Sequence, residues 1–387
     1  MEEDSPPKDH RMLAASRVNN CEELVDWFNA QEVAPVIPAG SGSKSDFRQL
    51  RDCSLVDVRG LEGIVAYDPS EFLITARSGT SIAAINDALA ERGQYLPADP
   101  AFASQGATLG GCIASGISGP SRLLFGSLRD FVMEVEFLDG LGKLVRGGGK
   151  VVKNAAGFDF PKLMVGSLGR LGILTEITLK VFPRPEGTAT ITFSSTTFGE
   201  AMRVVQSVRS QPIPLSAASL IATGEQVEVQ IRISGPMASL EATQRRVEQI
   251  VMRELSGTVT QSSSGLRSYS GDEELANWLT AASPSWAAPG NLLVRTCQHS
   301  SRAARLDAAI AGFAVSRHYW SAGEVAWVEI EPPRREALSS RLAELGIAGA
   351  IIPHPSTHGF MGDQRWIASA NRLKSALDPS GRFLSYA

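Results

Sequence analysis

The chain has 387 residues, of which 43% are hydrophobic and 20% charged, a composition typical of a globular protein with room for two or three domains. Its net charge of −4 argues against a dedicated nucleic-acid-binding protein, and no segment approaches the roughly 18 consecutive apolar residues of a membrane helix. The first twenty residues are polar, acidic and proline-bearing, without the basic start and apolar run of a secretory signal, so we expect a cytoplasmic protein.

The first half of the sequence predicts a compact α+β unit after a disordered tail at 1–12. A helix begins at Asn20, because Asn is a good N-cap and Glu23 stands in the capping-box position. A strand at 33–37 then runs into a turn of small residues. Three further strands are predicted at 55–58, 63–67 and 72–77. A helix is predicted at 81–92, and it ends before Gly93.

Glycine is concentrated in the middle of the chain. Of the 36 glycines, fifteen lie between Gly106 and Gly172. Glycine lets the backbone approach a ligand closely and adopt positive φ, so this concentration indicates a binding site. A strand with period-two alternation follows at 173–182, and Pro183 and Pro185 mark a boundary.

The second half repeats one order of elements, β-α-β-β-α-β, twice. This order predicts a tandem pair of split-βαβ, ferredoxin-like units that share one antiparallel sheet with helices on one face. Sequence identity between the two units is weak, so the repeat is structural. One helix is predicted between the units at about 271–282, and a last helix at about 363–377. The strands and helices of the first unit are predicted, in the order given, at 188–195, 198–210, 216–222, 226–233, 238–255 and 257–262. Those of the second unit are predicted at 291–297, 301–313, 316–320, 325–330, 335–345 and 348–352.

Four cysteines stand apart in the sequence: Cys21, Cys53, Cys112 and Cys297. None belongs to a C-x-x-C pair. An iron–sulfur cluster usually takes four thiolates, mostly at short spacings, and a disulfide framework is denser. We therefore expect reduced, mostly buried thiols and no cluster in this chain.

The loop at 38–44, P-A-G-S-G-S-K, is the first candidate for an anion site. It is not a Walker loop, because the G-x-x-x-x-G-K-[ST] spacing is absent, and it is not a Rossmann fingerprint, because no G-x-G-x-x-G opens a helix there. Successive small residues can still form a nest of backbone N–H groups that holds a diphosphate. Considered alone, the loop fits a plain turn better than a phosphate site.

A series of motifs extends this loop, and their order is informative. They are G-S-G-S-K, P-A-D-P, A-T-L-G-G-C-I-A, F-G-S-L-R-D, K-N-A-A-G-F-D and G-S-L-G-R-L-G-I-L-T-E, before a strand that ends in F-P-R-P. In this order they resemble the flavin domain of the vanillyl-alcohol-oxidase/p-cresol-methylhydroxylase family over about residues 20–185. Within that family, the stretch 148–159 and the terminal L-D-P-S-G-R-F are most similar to FAD-binding subunits of bacterial glycolate oxidases.

The resemblance implies an α+β fold in which a two-part PCMH-type FAD-binding domain at 13–185 precedes a ferredoxin-like cap domain at 186–360. A C-terminal segment at 361–387 would return to the FAD domain. The protein would bind and orient FAD and tune its electronics, while the redox chemistry belongs to the cofactor.

The resemblance also assigns cofactor-binding roles. The loop 38–44 would hold the diphosphate through backbone amides, 106–111 would pass along the flavin, Gly172 and Ile173 would face the adenine or ribitol side, and Gly126, Arg129 and Asp130 would shape an adjoining turn. The implied cofactor-binding residues are Pro38, Ala39, Gly40, Ser41, Gly42, Ser43, Lys44, Asp99, Gly106, Ala107, Thr108, Gly110, Gly111, Ala114, Ser115, Gly126, Arg129, Asp130, Gly157, Gly172 and Ile173.

Two absences refine this interpretation. Many members of the family attach FAD covalently through a histidine in the first loop, but no histidine lies between His10 and His299, so non-covalent FAD is expected. Cys112 does not match the family's cysteine tether and is interpreted as a small packed residue. The second absence concerns the set of residues that would bind and oxidise a substrate. Family members that oxidise 2-hydroxy acids combine an arginine that binds the carboxylate with histidines and acids that hold a metal.

That set is incomplete in this sequence. His354 and His358 are four residues apart, but Pro353 and Pro355 disfavour a helix there, so no metal site is predicted. The run 317–320, R-H-Y-W, is typical of a strand that alternates between exposed and buried residues. Arginines on the second-half strands, such as Arg232 and Arg295, could reach a carboxylate, although nothing in the pattern distinguishes them; catalytic residues stay unassigned.

The resulting hypothesis is an FAD-binding subunit of a heteromeric glycolate oxidase or dehydrogenase that oxidises small 2-hydroxy acids. Its expected partners are a homologous FAD-containing catalytic subunit and an iron–sulfur subunit; no nucleic acid is expected, and membrane contact would be peripheral, through partners. Two alternatives stay open: a free-standing FAD-dependent oxidase or dehydrogenase of another hydroxy acid, and a structural subunit with a vestigial flavin pocket.

Overall fold

We analysed a computed structural model of the chain. It describes residues 15–31, 35–47, 52–149, 158–224, 226–255, 265–271, 273, 274, 278, 284, 286–353 and 359–386. The expected tail at 1–12, the expected strand at 257–262 and Gly157 lie outside the described residues, as does most of the expected helix at 271–282.

A small parallel sheet opens the fold. Its strands are β1 (Ser16–Arg17), β2 (Val36–Ala39) and β3 (Ser54–Asp57), in the order β1-β3-β2. Helix α1 (Cys21–Ala30) begins as predicted, because the Asn20 side chain accepts the Glu23 N–H at 2.8 Å and donates to the Glu23 carboxylate at 2.9 Å. Leu24 and Phe28 of this helix are buried beneath the sheet.

A five-stranded antiparallel sheet forms the second part of the first half. Its order is β4-β5-β9-β7-β8, and a separate two-stranded pair joins β6 to β10. The strands are β4 (Ile64–Asp68), β5 (Leu73–Arg77), β6 (Gln94–Tyr95), β7 (Val132–Leu138), β8 (Leu144–Gly148), β9 (Ile173–Lys180) and β10 (Phe182–Pro183). The helices are α2 (Ile82–Ala90), α3 (Leu109–Ser115), α4 (Arg122–Phe125), α5 (Leu128–Phe131) and α6 (Phe160–Met164).

A nine-stranded antiparallel sheet forms the second half. Its elements are β11 (Gly187–Ser195), α7 (Phe198–Arg209), β12 (Leu215–Thr223), β13 (Gln226–Gly235), α8 (Met237–Leu255), β14 (Arg267–Ser270), β15 (Leu292–Cys297), α9 (Ala303–Ile310), β16 (Ser316–Trp320), β17 (Val325–Ile330), α10 (Arg335–Glu344), β18 (Ala348–Ile351) and β19 (Phe360–Gly362). The strand order is β14-β11-β13-β12-β16-β17-β15-β18-β19. This arrangement confirms the predicted α+β class: two ferredoxin-like units lie side by side and join where β12 pairs with β16.

The two faces of this sheet have different neighbours. Alternate residues such as Ile191 and Ile231 belong to one buried cluster with residues of α7, α8, α9 and α10, so these four helices cover one face. On the opposite face, Trp320 and Trp327 belong to the buried cluster of the five-stranded sheet. That face also carries polar residues, among them Thr190 directly across from Arg232.

The C-terminal residues pack against the first half. After α11 (Ile367–Leu377), Phe383 forms a parallel bridge with Val36 of β2, and its ring lies 5.6 Å from the ring of Phe28. The buried Asp378 carboxylate organises this segment. It accepts a hydrogen bond from the Lys374 ammonium at 2.6 Å, and hydrogen bonds from the backbone N–H groups of Arg382 and Phe383 at 2.7 and 2.9 Å.

Replacing Asp378 by Ala should destabilise the fold strongly. The buried Lys374 ammonium would lose its only carboxylate partner among the described residues, a type of loss that typically costs about 3–5 kcal/mol. The free energy of unfolding in urea measures the effect. The matched control is Glu344→Ala, which removes an exposed pair with Arg341 and should cost no more than about 1 kcal/mol. Equal losses in the two variants would contradict this assignment.

Candidate functional site

A cleft opens where the loop after β2 faces α3 and the turn before β9. Its empty volume is about 670 Å³, including the part open to solvent. Three segments that are distant in sequence form its walls, together with side chains from two further turns. The cleft is lined by Pro38, Gly40, Ser41, Gly42, Ser43, Lys44, Ser45, Phe47, Val58, Ser78, Thr108, Gly110, Gly111, Ala114, Ser115, Leu168, Gly169, Gly172, Ile173 and Leu174.

The loop offers unused backbone donors to this cleft. Gly42 has φ +76°, a conformation that glycine adopts without strain. The backbone N–H groups of Gly42, Ser43 and Lys44 donate no hydrogen bond to any described residue. Successive free N–H groups of this kind form an anion-binding nest.

Lys44 places a positive charge at the same point. Its side chain is 6% exposed, and its ammonium donates to Ser43 Oγ at 3.1 Å and lies 5.5 Å from the centre of the Phe102 ring. Within the described chain, no carboxylate forms an ion pair with it. A buried ammonium without a carboxylate partner suits an anionic ligand.

Cys112 lies beside this ammonium. Burial raises the pKa of the Cys112 thiol, while the charge and the hydrogen bond of Lys44 lower it in part. The thiol is completely buried, in agreement with its interpretation as a packed residue. Cys53 is buried as well, whereas Cys21 is half-buried and Cys297 exposed, so the expectation of mostly buried thiols holds for only two of the four.

Glycines keep the cleft open. A Cβ on Gly110 would lie 2.8 Å from Ser78 Cβ, and a Cβ on Gly40 would lie 2.5 Å from Thr108 Oγ1, so both positions require glycine. Ser78 Oγ is buried and has no hydrogen-bond partner among the residues that the structure describes. This orphaned hydroxyl, the free N–H groups and the unpaired Lys44 together fit a ligand that carries a diphosphate.

Most of the predicted cofactor-binding residues meet at this cleft. The structure brings together the loop, the start of α3 and the turn into β9, as the motif series implied. The predicted residues that line the cleft are Pro38, Gly40, Ser41, Gly42, Ser43, Lys44, Thr108, Gly110, Gly111, Ala114, Ser115, Gly172 and Ile173.

The remaining predicted residues lie elsewhere. Ala39 and Ala107 are buried away from the cleft, and Gly106 lines a separate surface cavity with Arg59 and Thr80. Asp130 accepts the N–H and hydroxyl of Ser127 in the turn that contains Gly126, so these residues shape the chain locally, and Arg129 is exposed. Asp99 lines a second cavity, and Gly157 is outside the described residues.

Seven lining residues were not predicted: Ser45, Phe47, Val58, Ser78, Leu168, Gly169 and Leu174. Leu168 and Gly169 stand inside the motif G-S-L-G-R-L-G, so the motif could have identified them. A Cβ on Gly169 would lie 2.6 Å from Pro38 Cγ, which explains the glycine. No sequence signal distinguished Ser78, which lies in an ordinary turn, or Val58, which opens a short 3-10 helix where the sequence predicted the end of a strand.

The second cavity lies between the two halves of the chain, and we call it the junction cavity. Its empty volume is about 2250 Å³, including the part open to solvent. It is lined by Asn86, Tyr95, Leu96, Asp99, Pro100, Phe102, Ala103, Ser104, Ser121, Phe125, Arg184, Pro185, Glu186, Gly187, Thr188, Ser216, Arg232, Ser234, Met237, Leu240, Ser270, Gly271 and Trp278.

Arg232 in this cavity is already paired. Its Nε and Nη2 donate to the two Glu274 carboxylate oxygens at 2.7 and 3.1 Å, and the hydroxyls of Thr190 and Thr188 donate to the same oxygens at 2.7 and 2.6 Å. Glu274 is 0% exposed, and these donors hold the pKa of its carboxyl below the usual value although burial opposes them. The pair therefore carries no net charge.

The strand at 316–320 differs from the expected exposed-and-buried alternation, because both of its faces are covered. Arg317 pairs with Asp307 of α9 at 2.7 Å, and His318 stacks on Trp286 with ring centres 3.6 Å apart. Burial lowers the pKa of His318 to about 4. Arg295, the other candidate for a carboxylate clamp, lines neither the cleft nor the junction cavity.

Metal-ligand side chains are sparse in the described chain. No group of three or more His, Cys, Asp or Glu residues there could hold a metal ion. His354 and His358 lie outside the described residues. Over the same described residues, no helix is both long and apolar enough to cross a membrane.

Comparison with known proteins identifies a family that part of the chain resembles. Residues 11–148 match a family described as "FAD binding domain". This part of the chain is similar to an FAD-binding domain. The nest, the buried Lys44 and the glycine-lined walls all stand at one cleft within or next to this FAD-binding domain.

Curated relatives match about half of the chain. The chain is 41% identical over 208 residues to the glycolate oxidase subunit GlcE of Escherichia coli K12, covering 54% of this chain and 58% of that protein. It is 30% identical over 196 residues to the D-2-hydroxyglutarate dehydrogenase of Xanthomonas citri pv. viticola, covering 50% of this chain and 41% of that protein. The chain thus spans about half the length of these two relatives.

A solved structure resembles almost the whole chain. An alkyldihydroxyacetonephosphate synthase superposes with a TM-score of 0.66 at 16% identity and covers 96% of this chain and 75% of that one. At this identity, the likeness supports the fold alone. It extends through the nine-stranded sheet, beyond the part that matches the FAD-binding family.

Replacing Gly42 by Asp should weaken FAD binding by at least about 100-fold, because the new carboxylate would repel a diphosphate at the nest. Fluorescence titration of the apoprotein with FAD measures the affinity, and circular dichroism checks the fold. The matched control is Gly93→Asp, since Gly93 also has positive φ, +63°, and an added Cβ there meets nothing within 4 Å. Unchanged flavin affinity in the Gly42 variant would mean that the loop is only a turn.

Proposed function

We propose that this chain is the FAD-binding subunit of a heteromeric glycolate oxidase or dehydrogenase. The complex would oxidise small 2-hydroxy acids, glycolate to glyoxylate first among them, and pass electrons from flavin to an iron–sulfur partner. The observation that carries the proposal is the cleft around Lys44 with its unused N–H groups, combined with a junction cavity in which the half-buried Arg232 is already paired with Glu274.

Each part of the cleft has a defined task in this proposal. The N–H groups of Gly42, Ser43 and Lys44 would bind diphosphate oxygens, and the Lys44 ammonium would balance their charge. Ser78 Oγ would gain the partner that it lacks within the protein. Bound FAD would supply the redox chemistry by accepting a hydride, and the walls built on Gly40 and Gly110 would keep side chains out of its path.

Relatives support the substrate class. One is named a subunit of glycolate oxidase and another a D-2-hydroxyglutarate dehydrogenase, and glycolate and 2-hydroxyglutarate are both 2-hydroxy acids. The word subunit in the first name supports a heteromeric assembly. We propose a homologous FAD-containing subunit as the partner that oxidises the acid, in the cytoplasm or at the membrane face through partners.

The junction cavity explains why such a partner is needed. Removing a hydride from a 2-hydroxy acid requires a base near the hydroxyl and a cation at the carboxylate. Arg232 already binds a carboxylate, that of Glu274. Burial raises the pKa of the Asp99 carboxyl, and the Ser121 N–H already donates to this carboxyl at 3.3 Å.

A second candidate function is a free-standing FAD-dependent dehydrogenase of another hydroxy acid. The size of the junction cavity and its position between the two halves favour it, because ligand sites often lie between domains. In that case the Arg232 and Glu274 pair would have to open for the substrate.

FAD should be bound without a covalent link. No histidine stands in the sequence between His10 and His299, and the thiol of Cys112 is completely buried. Trichloroacetic acid precipitation of the purified protein should release all of the yellow colour into the supernatant. Flavin that stays with the pellet after washing would contradict a non-covalent site.

Catalysis should depend on partners. The isolated FAD-loaded chain should reduce dye with glycolate or D-lactate at a negligible rate, whereas co-expression with a homologous flavin subunit and an iron–sulfur subunit should give turnover. In the complex, the Gly42→Asp variant should lose flavin from this subunit, and the Gly93→Asp variant should retain it. Turnover by the single chain that matches the complex would support the free-standing enzyme instead.

A further inference from the structure

One wall of the cleft is a turn whose backbone is strained. We call residues 167–172 the cleft turn. Within it, Leu168 has φ +55° although it is not glycine, and Gly169 follows at φ +71°. Both residues line the cleft. A residue with a side chain keeps such a conformation only where its surroundings hold it, so the shape of this wall depends on its neighbours.

Helix α3 holds the beginning of the cleft turn. The Leu168 N–H donates to the Ala114 carbonyl at 2.8 Å, and the N–H of the preceding Gly166 donates to the Ile113 carbonyl at 3.0 Å. These two hydrogen bonds fix the chain as it enters the turn. They do not involve the carbonyl of Ser167, which lies directly before the strained residue.

The last residues of the chain contact that carbonyl. The Tyr386 hydroxyl donates to the Ser167 carbonyl at 3.0 Å. From the cleft turn, the Arg170 guanidinium donates to the Ser385 carbonyl and lies 5.1 Å from the centre of the Tyr386 ring. Burial raises the pKa of Tyr386 to about 12, so its hydroxyl stays protonated at neutral pH and remains a donor.

Tyr386 is itself fixed in position. Its N–H donates to Asn371 Oδ1 at 3.0 Å, and Asn371 Nδ2 donates to the Tyr386 carbonyl at 2.9 Å. The residue is 7% exposed, and its ring meets the ring of Trp366 edge to face at 5.7 Å. A donor held in this way by helix α11 can hold the cleft turn in turn, because its own freedom is already lost.

The same segment, residues 382–386, also contacts a second wall of the cleft. Phe383 forms a parallel bridge with Val36 of β2, which leads into the loop that offers the unused N–H groups. The Val36 N–H donates to the Arg382 carbonyl at 2.7 Å. Leu384 lines a smaller cavity of about 380 Å³, including the part open to solvent, that shares Leu168 with the cleft.

From these contacts we infer that Tyr386 is a positioning residue for the cofactor: its hydroxyl holds the cleft turn in the shape that receives FAD. The inference rests on the proposed binding of FAD at the cleft, and it adds a coupling between that cofactor and residues 382–386. Such a coupling is reciprocal, so bound FAD stabilises the packing of this segment to the same extent.

Tyr386→Phe tests the inference, because it keeps the ring and removes only the hydroxyl. Fluorescence titration of the apoprotein with FAD should show binding about fivefold weaker, since the strained turn loses one of the hydrogen bonds that hold it. In the apoprotein, hydrogen–deuterium exchange should become faster in the peptide that contains 166–172. The matched control is Tyr67→Phe. It removes a hydroxyl that donates to Gln94 at 2.8 Å and does not line the cleft, so both measurements should stay unchanged.

Asn371→Ala provides a second, independent variant. Asn371 does not line the cleft, yet its loss releases the backbone of Tyr386, so FAD binding should again become about fivefold weaker. The double variant with Tyr386→Phe should lose less than the product of the two single losses, because both act through one contact. The matched control on the same helix is Ser375→Ala, whose hydroxyl donates to the Asn371 carbonyl at 3.0 Å and does not reach Tyr386.

The reciprocal effect gives a further measurement. Saturating FAD should slow hydrogen–deuterium exchange of the peptide that contains 382–386 in the unmodified chain. The same addition should slow it less in the Tyr386→Phe variant, because the link from the cleft turn to the segment is missing.

Unchanged FAD affinity in the Tyr386 and Asn371 variants, or unchanged exchange at 166–172, would overturn the inference while FAD binding at the cleft stood. If the unmodified chain bound no FAD, the proposed function and the inference would both be wrong. The two failures are distinguishable, because the first is seen in the variants and the second in the unmodified chain. None of these measurements depends on turnover.

Discussion

The close approach of three chain segments around one cleft is the constraint on which the rest of the structure depends. The loop after β2, the start of α3 and the turn into β9 meet so closely that a single added Cβ at Gly40, Gly110 or Gly169 would collide with a neighbour. Glycine is therefore required there by packing as well as by the ligand. These segments are held in place by the small parallel sheet, by the five-stranded sheet and by the C-terminal residues that pack against β2.

Lys44 and Arg232 have different surroundings in the same fold. The buried Lys44 has no carboxylate partner in the described chain and lies next to unused N–H groups. The half-buried Arg232 pairs with Glu274, whose carboxylate also accepts the hydroxyls of Thr188 and Thr190. The protein thus neutralises the second cation from within, and leaves the first without a carboxylate among the described residues.

Much of the cleft could be predicted because its residues belong to motifs. The loop and the start of α3 are identifiable through glycine and small residues whose order is specific, and α1 begins where Asn20 and Glu23 predicted. Ser78 could not be predicted, since its role comes from the fold bringing an ordinary turn against Gly110. The Arg232 and Glu274 pair was equally invisible, because no local pattern relates two residues 42 positions apart.

For the second half of the chain, the fold class could be predicted from the sequence, but the position of individual strands could be predicted less well. Its element order specified two ferredoxin-like units, but the outermost position of the first unit, next to β11, is held by β14, downstream of the expected strand. Strand β16 was expected to alternate between solvent and core, whereas partners from α9 and from Trp286 cover both faces. Alternation of polar and apolar residues along a strand indicates which face of that strand is turned to the core. It does not indicate which later segments of the chain will cover the other face.

The return of the C-terminal segment to β2 has a consequence for the order of events during synthesis. Arg382 donates to the carbonyls of Phe28 and Gln31, and 354 residues separate Arg382 from Phe28. While a ribosome is still translating the second half, the strand that leads into the diphosphate loop lacks the neighbour that Phe383 provides. We therefore expect this strand to reach its final packing only after translation has passed residue 383.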